Sequence, residues 1–126
     1  IPVADGRRFR TLQIPTTLPT LDELMGRPEY PAERLADELL GRLTPGTLDV
    51  FTIHAEIEGM SMAQWFSAFL DRAKERGVSF VSLADEAAKL NADRASIPVA
   101  PLEQGEIDGR SGTLAVQGPR IEGLAA

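Results

Sequence analysis

Cysteine is absent from the 126-residue chain, which excludes disulfides, thiolate catalysis and Cys-ligated zinc. Histidine occurs once, at position 54, so the chain cannot assemble a multi-histidine metal site by itself. Glu56 and Glu58 lie nearby, but the usual metal-ligand spacings are missing. No apolar run approaches the roughly 20 residues needed to cross a bilayer. Three arginines and an aspartate in the first ten residues, with no apolar core, do not read as a signal peptide. There is no phosphate-binding glycine loop, no dinucleotide fingerprint and no G-x-S-x-G nucleophile elbow. A net charge of −6 argues against a nucleic-acid partner.

What remains is ordinary for a soluble globular protein, with 43% apolar and 25% charged residues and length for one small domain. The lack of cysteine suits a cytosolic protein. The chain opens Ile1-Pro2-Val3 without an initiator Met, which suggests a processed product or a piece of a longer protein.

Residues 1–10 read as an irregular lead-in carrying Arg7, Arg8 and Arg10. Residues 11–18 alternate Leu12, Ile14, Thr16 and Leu18 as a short or edge strand, since Pro15 cannot donate to a ladder. Thr20 is placed to cap a short helix over 21–25, stopped by Gly26 and Pro28. A helix over 31–43 carries Leu35, Ala36, Leu39, Leu40 and Leu43 at helical spacing. Residues 49–57 form the strongest predicted strand. Ser61 and Gln64 make a capping-box pattern ahead of the clearest helix, whose apolar stripe is Met62, Phe66, Phe69, Leu70 and Ala73, with Gly77 as its stop. A strand over 78–83 and a helix over 84–92 follow. Residues 97–101 read as an extended linker, and Asp108-Gly109 as a hairpin turn. Residues 118–126 read as a flexible tail.

Strands alternating with helices predict an α/β fold with parallel pairing. Three strands leave such a sheet with open edges, so the chain reads as the closing part of a larger barrel or sheet.

His54 is the residue best suited to chemistry, because imidazole gains and loses protons near neutrality. In a persistent strand, Thr52, His54, Glu56 and Glu58 share one face, near the carboxyl end where α/β proteins bind ligands. Glu56 or Glu58 then orients the ring or touches a substrate. The bland alternative is a hydrogen-bonded structural histidine, which is the commoner fate of a lone one. Arg7, Arg8 and Arg10 read as solvated lead-in or as a phosphate contact. Asp22-Glu23 and Asp85-Glu86 sit in first turns of helices, where the helix dipole explains them.

Three ordered segments carry a family resemblance. They are Gln13-Ile14-Pro15-Thr16-Thr17-Leu18-Pro19-Thr20-Leu21-Asp22-Glu23, Phe51-Thr52-Ile53-His54-Ala55-Glu56-Ile57-Glu58-Gly59 and Gly105-Glu106-Ile107-Asp108-Gly109-Arg110. Together with Ala73-Lys74-Glu75-Arg76-Gly77-Val78-Ser79-Phe80, they resemble the C-terminal part of the 4-deoxy-4-formamido-L-arabinose-phosphoundecaprenol deformylases, within the polysaccharide deacetylase (NodB-homology) superfamily. After Gly112, Thr113-Leu114-Ala115 departs from the family's aromatic position.

The resemblance implies residues 1–117 as the C-terminal portion of a distorted (β/α)7-type barrel with parallel strands, followed by a turn-rich tail. It implies metal-dependent hydrolysis of a formyl or acetyl group on an amino sugar. His54 matches the late-strand general acid. Glu56, Glu58, Thr16, Thr17 and Arg110 are the candidate substrate contacts. The divalent metal, Zn or Mn or similar, would be bound by residues outside this chain, in a missing N-terminal half of the same protein. The implied partner is a polyprenyl-phosphate-linked amino sugar, met in the cytoplasm at the inner face of the membrane. The competing reading is a non-catalytic α/β domain that binds sugar or protein, with His54 structural.

Overall fold

The computed structural model describes residues 1–124 and 126. They form two compact units, one of Ile1–Pro15 with Val81–Ala126, the other of Thr16–Phe80.

The first unit carries a four-stranded mixed sheet made of β1 (Pro2–Ala4), β2 (Arg7–Arg8), β3 (Ala100–Gly105) and β4 (Leu114–Gln117), in the order β2-β1-β3-β4. The expected lead-in is therefore a hairpin. Val3 faces Arg8 and Ala4 faces Arg7, and Asp5 and Gly6 turn the chain with φ of 49° and 69°. Positive φ at both central residues is what a tight two-residue hairpin requires, and Asp-Gly supplies it cheaply. β1 pairs in parallel with β3, Pro2 opposite Ala100. The expected linker is also structured, for Val99 is fully buried and Ala100 begins β3. β3 and β4 form an antiparallel hairpin, Leu102 opposite Gln117 and Gly105 opposite Leu114, around the Asp108-Gly109 turn. The tail expected from residue 118 is tied down at its start, where Gly118 N–H donates to Pro101 O at 2.9 Å and Ile121 N–H to Val99 O at 2.8 Å. Ile1, Ile97 and Val99 form the core of this unit, with Val3, Leu12, Leu90 and Ile121 against it. Leu90 comes from α4 (Leu83–Ala92), whose first turn is capped by Ser82 Oγ accepting from Asp85 N–H at 3.1 Å.

The second unit is helical. α1 (Leu21–Leu24) and α2 (Leu35–Gly41), entered through a 3-10 turn at Ala32–Arg34, pack on α3 (Ala63–Glu75). Of the predicted stripes, Leu35, Ala36, Leu39 and Leu40 of α2 and Phe69 and Ala73 of α3 are buried, while Leu43, Met62, Phe66 and Leu70 are half-buried against them; Leu21 and Leu24 of α1 join the same core. Burying each leucine contributes about 1.5–3 kcal/mol. Phe69 centres an aromatic cluster, with its ring 5.4 Å from Trp65, 6.3 Å from Phe66 and 5.7 Å from Phe51. On the surface, Asp37 of α2 pairs with Arg72 of α3 and with Arg76 just past its end.

Residues 11–18, 49–57 and 78–83, expected as strands, are not in any ladder among the described residues. Their composition favours strands, but a strand exists only when a neighbour pairs its amides and carbonyls. Near residue 50 a trace of pairing survives. Thr17 and Leu18 both donate their N–H groups to Val50 O, at 3.0 and 3.1 Å.

Candidate functional site

The site is built in the second unit, where two non-helical segments lie side by side. Besides the shared Val50 carbonyl, Thr17 Oγ1 accepts from Val50 N–H at 2.8 Å and donates to Asp49 Oδ1 at 3.3 Å. Asp49 Oδ2 accepts from Thr44 N–H at 3.0 Å. The Thr17 hydroxyl is thus engaged in clamping the segments together. Thr16 differs. Its hydroxyl meets that of Thr52 at 2.5 Å on the exposed side, and such a pair keeps lone pairs for a ligand.

This clamp sets the approach of two further stretches. Thr20 N–H donates to the buried Glu23 carboxylate at 2.9 Å, which starts α1 and fixes Asp22 in its first turn. On the other stretch the chain does not stay extended after Ile53. Ile57 N–H and Glu58 N–H both donate to His54 O at 3.0 Å, and the chain winds through a π-helical turn at Ile57–Ser61 into α3. Wide turns of this kind are rare and recur at functional sites. Ser61, expected to cap α3, instead donates its hydroxyl to Glu56 O at 3.2 Å, and α3 starts at Ala63.

His54 sits at the head of this turn. Its backbone N–H donates to Glu58 Oε2 at 2.7 Å. Its ring is 39% exposed. Nδ1 is enclosed and has no hydrogen-bond partner. It lies 3.7 Å from Asp22 Oδ1, an ion pair when the ring is protonated but too long for a hydrogen bond. One edge of the imidazole thus faces a carboxylate, and the side chain is partly open to solvent. Chemically this is a proton donor and acceptor whose charged form has a neighbour of opposite sign.

The other expected contacts separate. Glu56 is exposed on the outer side of the turn. Glu58 is 1% exposed, held inside beneath His54. Arg110 belongs to the first unit, exposed in the loop between β3 and β4, where its N–H donates to Ile107 O at 3.0 Å. Among the described residues, no three His, Cys, Asp or Glu side chains come together as a metal site. Asp22 is the residue that sequence reasoning passed over, since its first-turn position already accounted for it. Its place two residues beyond Thr20, in the same segment as Thr16 and Thr17, was the available signal.

A polar clamp, a turn and an exposed imidazole facing a carboxylate are the parts of an acid–base site. No family model matches the chain. The chain is 38% identical, over 109 residues, to a probable 4-deoxy-4-formamido-L-arabinose-phosphoundecaprenol deformylase ArnD of Shewanella sediminis, covering 86% of this chain and 35% of that protein. It is 35% identical over 115 residues to the protein of the same name from Wigglesworthia glossinidia brevipalpis, covering 91% of this chain and 39% of that protein. The chain therefore spans little more than a third of the length of the curated relatives it matches. Its similarity to the C-terminal part of these deformylases extends along most of its sequence.

Proposed function

We propose that the chain is the C-terminal portion of a metal-dependent amide hydrolase that removes the formyl group from 4-formamido-arabinose carried on undecaprenyl phosphate. In this reading His54 is its general acid. The observation that carries the reading is the exposed ring of His54, with its enclosed Nδ1 against Asp22 Oδ1 at 3.7 Å.

Amide cleavage by water passes through a tetrahedral adduct, and the C–N bond breaks only if the nitrogen gains a proton as it leaves. Once a base has taken one proton from the attacking water, an imidazolium supplies the nitrogen's proton and ends neutral; the products are a free amine and formic acid, which ionises to formate. Asp22 Oδ1 lies 3.7 Å from Nδ1, on the enclosed edge of the ring. Of the expected substrate contacts, Thr16, Thr17 and Glu56 are exposed in the same unit as His54. The residues described here do not fit a metal site. The divalent ion that the resemblance implies is assigned to residues outside this chain, and no step above runs through it.

The barrel belongs to the same proposal. Ile53 and Phe80 are 48% and 54% exposed on segments of strand-like composition. Strands of the remaining two-thirds of such a protein would cover them. The work takes place at the inner face of the cytoplasmic membrane, where a polyprenyl phosphate presents its sugar. No helix among the described residues is long and apolar enough to cross that membrane. The exposed Arg7, Arg8 and Arg10 suit the lipid phosphate.

The test is His54→Ala in the complete polypeptide. Turnover should fall by about 10²–10⁴-fold, with folding and metal content unchanged. Unchanged turnover would assign His54 a structural role.

A further inference from the structure

Glu58 is the one carboxylate of the His54 turn that is removed from solvent, at 1% exposure. Burying a carboxylate is unfavourable unless it answers a donor. Here the donor is the backbone N–H of His54, 2.7 Å from Oε2. The bond is charge-assisted and shorter than ordinary N–H to carbonyl bonds. The carbonyl of the same residue accepts from Ile57 and Glu58 N–H groups, both at 3.0 Å. His54 is thus gripped at both ends of its backbone by the turn it opens. The arrangement is a capping box with one residue added, the carboxylate reaching back over four residues instead of three, as a wide π-type turn demands. The other oxygen, Oε1, is also enclosed and without a partner. A side chain so enclosed does not present its carboxylate to a sugar in solvent.

We propose that Glu58 is a positioning residue: it acts through His54, by fixing the backbone from which the imidazole is aimed, and does not contact the substrate. This rests on the general-acid reading of His54 and deepens it. Misplacing a catalytic group by about 1 Å can cost about a hundredfold in rate, so loss of the grip should be read in kcat.

The experiment is a double-mutant cycle in the complete polypeptide, with undecaprenyl-phosphate-linked 4-formamido-arabinose as substrate. Glu58→Ala should lower kcat by about 10–100-fold, with KM held within about twofold. Glu58→Gln keeps an acceptor oxygen and should recover most of the rate, short of the parent because a neutral acceptor is weaker. In a His54→Ala background, neither change should lower kcat further by more than about twofold, since the residue each acts through is gone. Should Glu58→Ala fail to fold by circular dichroism, Glu58→Gln with and without His54→Ala completes the cycle. A rise in KM of about tenfold with kcat unchanged would make Glu58 a substrate contact and overturn the proposal. Equal losses in the parent and His54→Ala backgrounds would overturn it too, while leaving the role of His54 standing. If His54→Ala itself leaves turnover intact, the general-acid reading fails first.

Discussion

Phe69→Ala is the perturbation that most directly probes how the second unit holds its site. Phe69 is 4% exposed and lies nearly parallel to the rings of Trp65 and Phe66, at interplanar angles of 8° and 15°. It meets Phe51 at 58°. Phe51 is three residues ahead of His54, so this contact ties α3 to the segment that carries the imidazole. Truncating a buried phenylalanine to alanine costs about 3–5 kcal/mol. Ring pairs of this geometry are worth about 0.5–1.5 kcal/mol each beyond their buried area, which places this site in the upper part of that range. Whole domains hold only about 5–15 kcal/mol, so the variant should lose a large share of its stability. Urea unfolding followed through Trp65, the only tryptophan, and separately by circular dichroism gives the number. Because the variant changes the environment of Trp65 itself, the midpoint is compared, not the amplitude. Phe69→Leu keeps most of the volume and should cost under about 1.5 kcal/mol. A loss under about 1 kcal/mol for Phe69→Ala would refute the packing described for this unit.

Two further outcomes are expected. Asp22→Asn removes the charge facing Nδ1 but keeps the shape. Both partners are well exposed, so stability should change by less than about 1 kcal/mol, while turnover of the complete polypeptide falls by about tenfold or more; unchanged turnover would remove Asp22 from the site. Ser82→Ala deletes the cap on α4 and should cost about 0.5–2 kcal/mol in a urea melt of the chain; no measurable loss would mean that the Asp85 N–H is satisfied without it.

The helical half of this architecture was legible because helices close their own hydrogen bonds. The stripes of α2 and α3 and the span of α4 follow from 3.6-residue spacing, and all are present. Strands need neighbours, and there the reading of local pattern fell short. Residues 49–57 have strand composition, but the chain turns back after Ile53, so Glu58 meets His54 through a four-residue turn and not across one face of a strand. The Asp5-Gly6 hairpin was readable, since Asp-Gly between short apolar and basic pairs is a turn signal. It was hidden by the arginines around it, which suggested solvated chain. His54 stood out from its type alone as the residue best suited to proton transfer. Asp22 did not, because its approach to Nδ1 depends on two segments more than thirty residues apart being clamped together.

The central claim is that His54 delivers the proton to the departing nitrogen, and the leaving group tests it most directly. A formanilide with an electron-withdrawing nitro group expels an anilide that needs little help from an acid. In the complete polypeptide, His54→Ala should lose about 10²–10⁴-fold on the formamido-sugar and keep most of its rate on the activated anilide. Equal losses on both substrates would contradict the account.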